Sequence, residues 1–175
     1  MSDVLLQDLW FHQVDGVVIE NAVIEGELVV VRARASAERA ACPACRTVSA
    51  RVHSRYVRRL ADTAVAGRPV LIELQVRRFR CRDRVCRQAT YVEQVEGLTF
   101  RHGRRSSGLQ TVLQEAGVML GGRAGYRLAT TLAVRASRST LLRLIRRLPE
   151  PKYTRRGSSE WTSLPCARDK TTARS

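Results

Sequence analysis

The chain has 175 residues, of which 44% are hydrophobic, and this proportion is typical of a folded protein and excludes a wholly disordered chain. Lysine and arginine number 31 against 16 acidic residues, and 29 of these cations are arginines, so nucleic acid is the first partner to consider. No apolar run reaches the roughly 18 residues that span a bilayer, and the N-terminus lacks the basic start of a signal peptide. We therefore expect a cytoplasmic protein without a membrane partner. An enzyme for an acidic substrate would also be basic, so charge alone does not decide the function.

The positive charge is concentrated after residue 40. Residues 1–40 carry 3 cations and 7 anions, whereas residues 41–100 carry 12 and 5. Residues 101–148 carry 10 cations and 1 anion, and residues 149–175 carry 6 and 3. The basic surface is therefore expected to begin at the first pair of cysteines.

The N-terminal part of the chain predicts a short helix and then a β-hairpin. The helix fits Asp3–Leu9. Val14–Glu20 and Glu27–Ala35 are rich in β-branched residues and either alternate or run apolar, as strands do. Asn21 and Gly26 separate these two runs and favour a turn.

The middle of the chain predicts a small β unit. Pro69–Phe79 has a strong strand pattern, and Gln88–Glu93 has a weaker one. These two strands flank the second pair of cysteines.

From Arg104 onward the apolar residues follow a helical period. They recur at three- and four-residue steps in a first helix: Leu109, Val112, Leu113, Ala116 and Leu120. Gly121-Gly122 breaks this helix, a second helix fits Arg123–Leu132, and a third fits Ser139–Leu148 before Pro149. Tyr153–Ser175 shows no period that would bury a face and predicts a disordered tail.

The strongest local signal is formed by four cysteines in two close pairs. Two residues separate Cys42 from Cys45, and four separate Cys81 from Cys86. Thiolates at two tight turns that are joined by a β-hairpin can surround Zn²⁺ tetrahedrally, and a reducing compartment favours metal ligation over disulfides. The pattern predicts a zinc ribbon with one structural Zn²⁺ that holds the β unit together.

Other uses of these cysteines remain open. One pair could be buried thiols, and Cys42-x2-Cys45 could be a redox motif, although no thioredoxin-like βαβ pattern surrounds it. His53 could replace a cysteine ligand, but a surface or packing role is the simpler expectation because four thiolates already complete the shell. Five nearby arginines are expected to help keep the thiols deprotonated: Arg46, Arg80, Arg82, Arg84 and Arg87.

Three helices with a short second connection predict a helix-turn-helix unit with its turn at Ala133–Ala136. Ser137 or Ser139 is expected to cap the third helix, whose first turn would face DNA. We expect base contacts near Arg138, Ser139 and Arg143, and phosphate contacts from Arg77, Arg78 and Arg135. The third helix is predicted to bury Leu141, Leu144, Ile145 and Leu148 and to expose Arg143, Arg146 and Arg147. An ordinary three-helix packing unit with a solvated basic face is the alternative.

No set of catalytic residues competes with this interpretation. None of the three histidines is accompanied by a nucleophile between two glycines, as in the G-x-S-x-G motif of hydrolases. The sequence also has no phosphate-binding glycine-rich loop with a lysine. Asp62 and Glu93 are the strongest acidic candidates for a role, and each is more simply a partner for a neighbouring arginine. Gly121-Gly122-x-x-Gly125 follows a helix and indicates an interhelical turn.

Several ordered segments of the chain resemble bacterial transposases of the insertion-sequence "L-three" family. The zinc-finger part of that family is similar to Cys42-Pro-Ala-Cys45, His53-Ser-Arg-Tyr-Val-Arg-Arg-Leu-Ala-Asp62, Gly67-Arg-Pro-Val70, Arg77-Arg-Phe-Arg-Cys81-x4-Cys86 and Tyr91-Val-Glu93. The helix-turn-helix that follows the finger in the family resembles Gly121-Gly-Arg-Ala-Gly125 and Ser139-Thr-Leu-Leu-Arg143.

This resemblance implies a protein that binds double-stranded DNA at the terminal inverted repeats of its own mobile element. It also implies that strand transfer belongs to an Asp-Asp-Glu domain, which in full-length relatives begins soon after the position of Leu148-Pro149. We therefore expect a truncated, non-enzymatic, nucleoid-associated bacterial fragment that forms a homodimer or associates with intact transposase. The alternatives are a stand-alone zinc-ribbon and helix-turn-helix transcription regulator, or a zinc-stapled module for protein interaction.

The expected architecture is α+β, with a β-rich zinc ribbon followed by a three-helix helix-turn-helix unit. The predicted divisions are an N-terminal β-hairpin region at 1–40, a zinc-ribbon domain at 41–100, a helix-turn-helix domain at 101–150 and a disordered tail at 151–175.

The tail also predicts a shifted reading frame. In the shifted frame, each new triplet from Gly157 onward consists of the third base of one codon and the first two bases of the next. With allowed codon choices, these triplets encode Val-Leu-Gly-Val-Asp-Glu-Phe-Ala-Leu-Arg-Lys-Gly-Gln-Asp-Tyr-Gly-Thr-Val. Trp161 and Thr162 force the first aspartate of that string. The string resembles the start of the family's catalytic domain, including its first catalytic aspartate. We therefore predict a frameshift scar and a catalytically inert chain, with Cys166 as an incidental thiol; a tail that evolved as a disordered segment is the alternative.

Overall fold

The computed structural model of the protein describes residues 2–12 and 14–149. The predicted tail at 151–175, with its proposed frameshift, lies outside these residues. No helix in the described part is long and apolar enough to cross a membrane.

The described residues form ten helices and strands, and the predicted α+β class is confirmed. In chain order they are α1 Ser2–Phe11, β1 Val17–Glu25, β2 Leu28–Ala35, β3 Ala40–Ala41, β4 Val48–Ser49, β5 Val52–Val65, β6 Arg68–Arg80, β7 Thr90–Val92, α2 Ser107–Thr131 and α3 Arg138–Ile145.

A five-stranded sheet dominates the first part of the molecule. Its order is β1-β2-β6-β5, and β7 pairs with the end of β6. β2 and β6 are parallel, whereas every other neighbouring pair in this sheet is antiparallel. Strands from both the predicted N-terminal region 1–40 and the predicted zinc-ribbon region 41–100 therefore share one sheet, while the division itself stays a prediction.

The predicted N-terminal hairpin is confirmed, but its first strand is longer than expected. β1 continues past Asn21 to Glu25, which pairs with Leu28, and the register shifts between Ile19 and Asn21. Asn21 therefore lies at an irregularity within β1, and the turn is made at Gly26.

The main core lies on one face of this sheet. Alternate residues of β6 point to the same side, as the two-residue period of a strand requires, and α1 with the loop after β7 covers them. The buried residues of this core are Phe11, Val17, Ile19, Val29, Val31, Ala33, Ala35, Leu60, Val70, Ile72, Leu74, Val76, Val95 and Leu98.

The helical part confirms the predicted break and most of the predicted core. Gly121 interrupts α2 with φ 67° and ψ −171°, a conformation that glycine adopts without steric cost. Leu141 and Leu144 are buried as predicted, but Leu148 is 38% exposed. Its predicted place in the core is wrong because α3 ends at Ile145, three residues earlier.

The helices α2 and α3 pack closely because α2 carries a glycine at their contact. A Cβ atom at Gly125 would lie 3.1 Å from Leu141 Cδ1 and 3.2 Å from the carbonyl oxygen of Ala116. By contrast, a Cβ at Gly108, in the first turn of α2, would meet nothing within 4 Å. The close approach of α3 therefore depends on the absence of a side chain at Gly125.

Main-chain hydrogen bonds join the helices to the sheet at Ala61 of β5. The Ala61 amide donates to Arg104 O at 3.0 Å, and the Ser106 amide donates to Ala61 O at 2.9 Å. Ser106 is the N-cap of α2, where its hydroxyl accepts from the Leu109 amide and donates to Asp62. The predicted arginine partner of Asp62 is therefore wrong: the carboxylate binds the capping serine instead.

Candidate metal centre and nucleic-acid interface

The first cysteine pair lies in a tight turn between β3 and β4. Ala40 and Ala41 pair with Ser49 and Val48, which brings the two ends of the turn together. Inside it the Cys42 amide donates to Thr47 O at 2.9 Å and the Arg46 amide donates to Cys42 O at 2.8 Å. Arg46 has φ 63°, the left-handed conformation that closes the turn.

The second cysteine pair lies in the loop between β6 and β7. The Cys81 amide donates to Ala89 O at 2.9 Å, and this bond holds the two ends of the loop together. The Gln88 amide donates to Cys86 Sγ at 3.5 Å. This amide favours the thiolate form of Cys86, but burial and the neighbouring thiols of Cys45 and Cys42 raise the pKa of Cys86 overall.

The hairpin of β5 and β6 joins the two turns and brings all four sulfur atoms together, as predicted. Cys42 Sγ lies 3.8 Å from Cys86 Sγ, and Cys45 Sγ lies 3.5 Å from Cys81 Sγ. All four sulfurs lie within 4.8 Å of one another. Four thiolates bound to zinc at about 2.3 Å in a tetrahedron are about 3.8 Å apart, so these ligands are already spaced for Zn²⁺.

The thiols differ in how readily they lose a proton. Hydrogen bonds from the side chain and main chain of Thr47 lower the pKa of Cys45 to about 6. Burial raises the pKa of Cys81 to about 12. At neutral pH a bound zinc ion must therefore displace the proton of Cys81, as structural zinc sites do.

We call the two cysteine turns, with β3, β4, β7 and the adjoining end of β6, the finger. The finger has a small core of its own next to the metal ligands. Cys42, Phe79 and Tyr91 are buried together, and the rings of Phe79 and Tyr91 stack with their centroids 6.0 Å apart. The Tyr91 hydroxyl donates to Ala40 O at 2.6 Å and so attaches β3 to β7. The main core of the sheet is a separate cluster. We therefore expect zinc to stabilise the finger and not the whole predicted β unit.

His53 lies outside the sulfur cluster. Its ring is exposed, and its Nδ1 lies 3.3 Å from the Ser54 hydroxyl. The simpler expectation of a surface histidine is confirmed.

The two tight turns, the hairpin that joins them and the four converging thiols define a zinc ribbon with one structural zinc ion. Residues 38–86 match the family model described as the zinc-finger of transposase IS204/IS1001/IS1096/IS1165. This part of the chain is therefore a zinc finger of the kind found in insertion-sequence transposases. Comparisons with curated proteins and with solved structures gave no significant match.

The structure separates the two arginines of β6 that were predicted to bind phosphate. The Arg77 side chain is 17% exposed and forms an ion pair with Glu93 at 2.9 Å, which confirms the predicted arginine partner of Glu93. Arg77 also donates to the carbonyl of Ala37. Arg78 is exposed, and its guanidinium lies 5.9 Å from the centroid of the Tyr56 ring. Arg77 thus ties the finger to the sheet, and only Arg78 is available to a ligand.

The four predicted contact residues of the helical part are all exposed. Ser137 caps α3 by accepting from the Thr140 amide, which confirms one of the two predicted caps. Arg135 lies in the preceding turn, Arg138 and Ser139 in the first turn of α3, and Arg143 one turn later. Among the described residues, no arginine from 101 to 148 forms an ion pair.

Arg105 is a further basic residue of the helical part that the sequence did not single out. It is half-buried beside α3, and burial together with the neighbouring Arg143 guanidinium lowers its pKa. The only sequence signal for Arg105 was its place in the basic segment before α2.

Proposed function

We propose that the chain binds double-stranded DNA as the recognition part of an insertion-sequence transposase, with the terminal inverted repeats as target. The proposed helix-turn-helix consists of the part of α2 after Gly121, the turn at Ala133–Ala136 and α3. The finger contacts neighbouring phosphates. The described part does not itself cut or join strands.

One observation carries the proposal: in the part of the chain that the structure describes, exposed arginines without an ion pair, at α3 and in the turn before it, follow a zinc finger similar to that of transposases. Ten arginines against one glutamate between residues 101 and 148 leave this part of the chain strongly positive. Guanidinium groups of arginine bind both phosphates and guanine edges, so duplex DNA offers suitable partners for these arginines.

The residues at α3 have different proposed roles. Arg138, Ser139 and Arg143 occupy the exposed side of α3 and would contact base edges in the major groove. Arg135 and Arg105 lie beside that helix and would hold phosphates. Phosphate contacts fix the register of the protein on DNA, and base contacts supply the sequence preference.

The experiment compares binding to the DNA that flanks the gene with binding to shuffled DNA of the same length. We expect preference for the flanking inverted repeat. Arg143→Ala should lose about 1–3 kcal/mol of that discrimination, which is roughly 5–150-fold. Arg55→Ala is the matched control because it removes an exposed arginine of β5, outside the proposed helix-turn-helix. Equal binding of the repeat and the shuffled DNA by the wild type would refute the proposal.

A further inference from the structure

A second group of arginines lines a partly enclosed cleft of about 1400 Å³, and no residue of α3 is among its lining residues. The cleft runs between the first cysteine turn, β7 and the loop at 94–104. Tyr56 lies in its wall together with six arginines: Arg39, Arg46, Arg58, Arg78, Arg101 and Arg104.

The charges of the cleft are not balanced by its own carboxylates. Asp15, Glu93 and Glu96 also line it, but Glu93 is already paired with Arg77, which lies outside the lining. Two carboxylates therefore face six arginines, and four positive charges are left over. Within the described residues, none of the six arginines forms an ion pair.

One of the six, Arg58, holds the wall of the cleft in place. Its guanidinium donates to Gln94 Oε1 at 3.1 Å and to the carbonyls of Phe100 and Gly103 at 3.0 Å each. These bonds attach the loop at 94–104 to β5. Arg58 is thus a positioning residue.

The other five arginines of the cleft are all exposed, so their guanidinium groups are available to a ligand. Arg78 is partly ordered by its position over the Tyr56 ring, which lowers the conformational entropy that it loses on binding.

The size and the openness of the cleft favour a polymer. Pockets for small molecules usually have volumes of roughly 300–1,000 Å³ and bury most of the ligand, whereas this cleft is larger and only partly enclosed. Dispersed arginines with four uncompensated charges suit a chain of phosphates better than a single anion.

We infer that this cleft binds the phosphate backbone of double-stranded DNA, next to the segment that α3 reads. The inference rests on the proposed function and adds to it a second contact surface, whose binding is independent of base sequence. In this arrangement the cleft extends the DNA footprint beyond the helical part and strengthens binding of every sequence equally.

The test measures how affinity depends on salt for a mixed-sequence duplex of about three helical turns, roughly 30 base pairs. The cleft variant is Arg78→Gln with Arg104→Gln. The control variant, Arg55→Gln with Arg68→Gln, removes the same charge from exposed residues of β5 and β6 that do not line the cleft. Each lost phosphate contact lowers the slope of log affinity against log salt by about 0.9, so the cleft variant should lose about 1.8 and the control nothing. Circular dichroism shows whether both variants fold.

The possible outcomes distinguish a failure of the cleft inference from a failure of the proposed function. A wild-type chain that binds no duplex at low salt overturns both. Wild-type binding whose slope falls in Arg135→Gln, which removes a proposed phosphate contact beside α3, but not in the cleft variant overturns the cleft and leaves the proposed function standing. Equal losses of slope in the cleft and control variants also overturn the cleft, because binding would then follow net charge alone.

Discussion

Removal of zinc should melt the finger and leave the main sheet folded. The apolar core of the finger consists of Phe79, Tyr91 and Cys42, and burial of two aromatic rings contributes about 3–6 kcal/mol. Structural zinc contributes about 10–16 kcal/mol in comparable small sites, so the metal is the larger stabilising contribution at this end. The main core has 14 buried residues and none of the four thiols, and it should survive without the metal.

Amide hydrogen exchange during titration with a chelator can resolve this difference. The amides of Cys42 and Cys81 are held by bonds inside the two turns and should lose protection, whereas those of Ile72 and Leu74 in β6 should keep it. Loss of protection in β6 at the same chelator concentration would refute the reasoning, because finger and sheet would then be one cooperative unit.

A pair of variants provides a control that does not need a chelator. Cys81→Ser removes one ligand and should reproduce the exchange pattern of the metal-free chain. Val85→Ser changes a side chain in the same loop that is 90% exposed, and it should retain zinc and full protection. Unchanged exchange in Cys81→Ser would show that zinc does not hold the finger.

The thiol pKa values also set the direction of the pH dependence of zinc binding. The Cys81 thiol, with its pKa raised to about 12, is protonated throughout the neutral range in the metal-free chain and must lose that proton on binding. Zinc affinity should therefore rise with pH between about 6 and 8, by about tenfold per pH unit for this one thiol. Competition with a chelator of known proton affinity measures it, and a flat profile would contradict the assignment.

Three further variants and one control variant test the contacts described above, each by its free energy of unfolding. Gly125→Ala should destabilise by about 1–2 kcal/mol because the new methyl group crowds Leu141 of α3 as well as the Ala116 carbonyl of α2. Gly108→Ala in the same helix should be neutral or stabilising by up to about 1 kcal/mol, and equal effects would contradict the close packing at Gly125. Ser106→Ala should cost about 1–2 kcal/mol, since it removes the N-cap of α2, and an unchanged melting curve would show that the cap is dispensable. Glu93→Gln should cost about 3–5 kcal/mol because it leaves the Arg77 charge half-buried without its partner, and a neutral result would mean that this pair adds nothing.

The sequence was sufficient to predict the parts of the fold that have a regular pattern. The spacing of the cysteines predicted the zinc ribbon, and the glycine pair after Leu120 predicted the break in α2. β5 is the longest of the described strands, but it was not predicted. Its sequence shows no clear alternation of apolar and polar residues. Only Leu60 is fully buried along its length, and arginines occupy both faces.

The predictions that were wrong at the candidate site concern side chains whose partners are distant in sequence. Arg77 and Arg78 are adjacent and identical in type, yet only Arg77 meets a buried carboxylate, 16 positions away. The partner of Asp62 is 44 positions away, in the cap of α2. A pattern in one chain segment cannot distinguish an arginine that binds its own fold from one that is available to DNA.

The parallel pairing of β2 with β6 implies an order of assembly for the sheet. Glu73 of β6 accepts hydrogen bonds from Arg59 of β5, 14 positions away, and from Arg32 of β2, 41 positions away. Closing the longer loop costs about 1 kcal/mol more entropy than closing the shorter one. We therefore expect the hairpin of β5 and β6 to form first during folding, with β2 docking later as the slower, non-local step. The two cysteine turns lie at the open end of that early hairpin, so a nascent chain can gather its metal ligands before its N-terminal strands have joined the sheet.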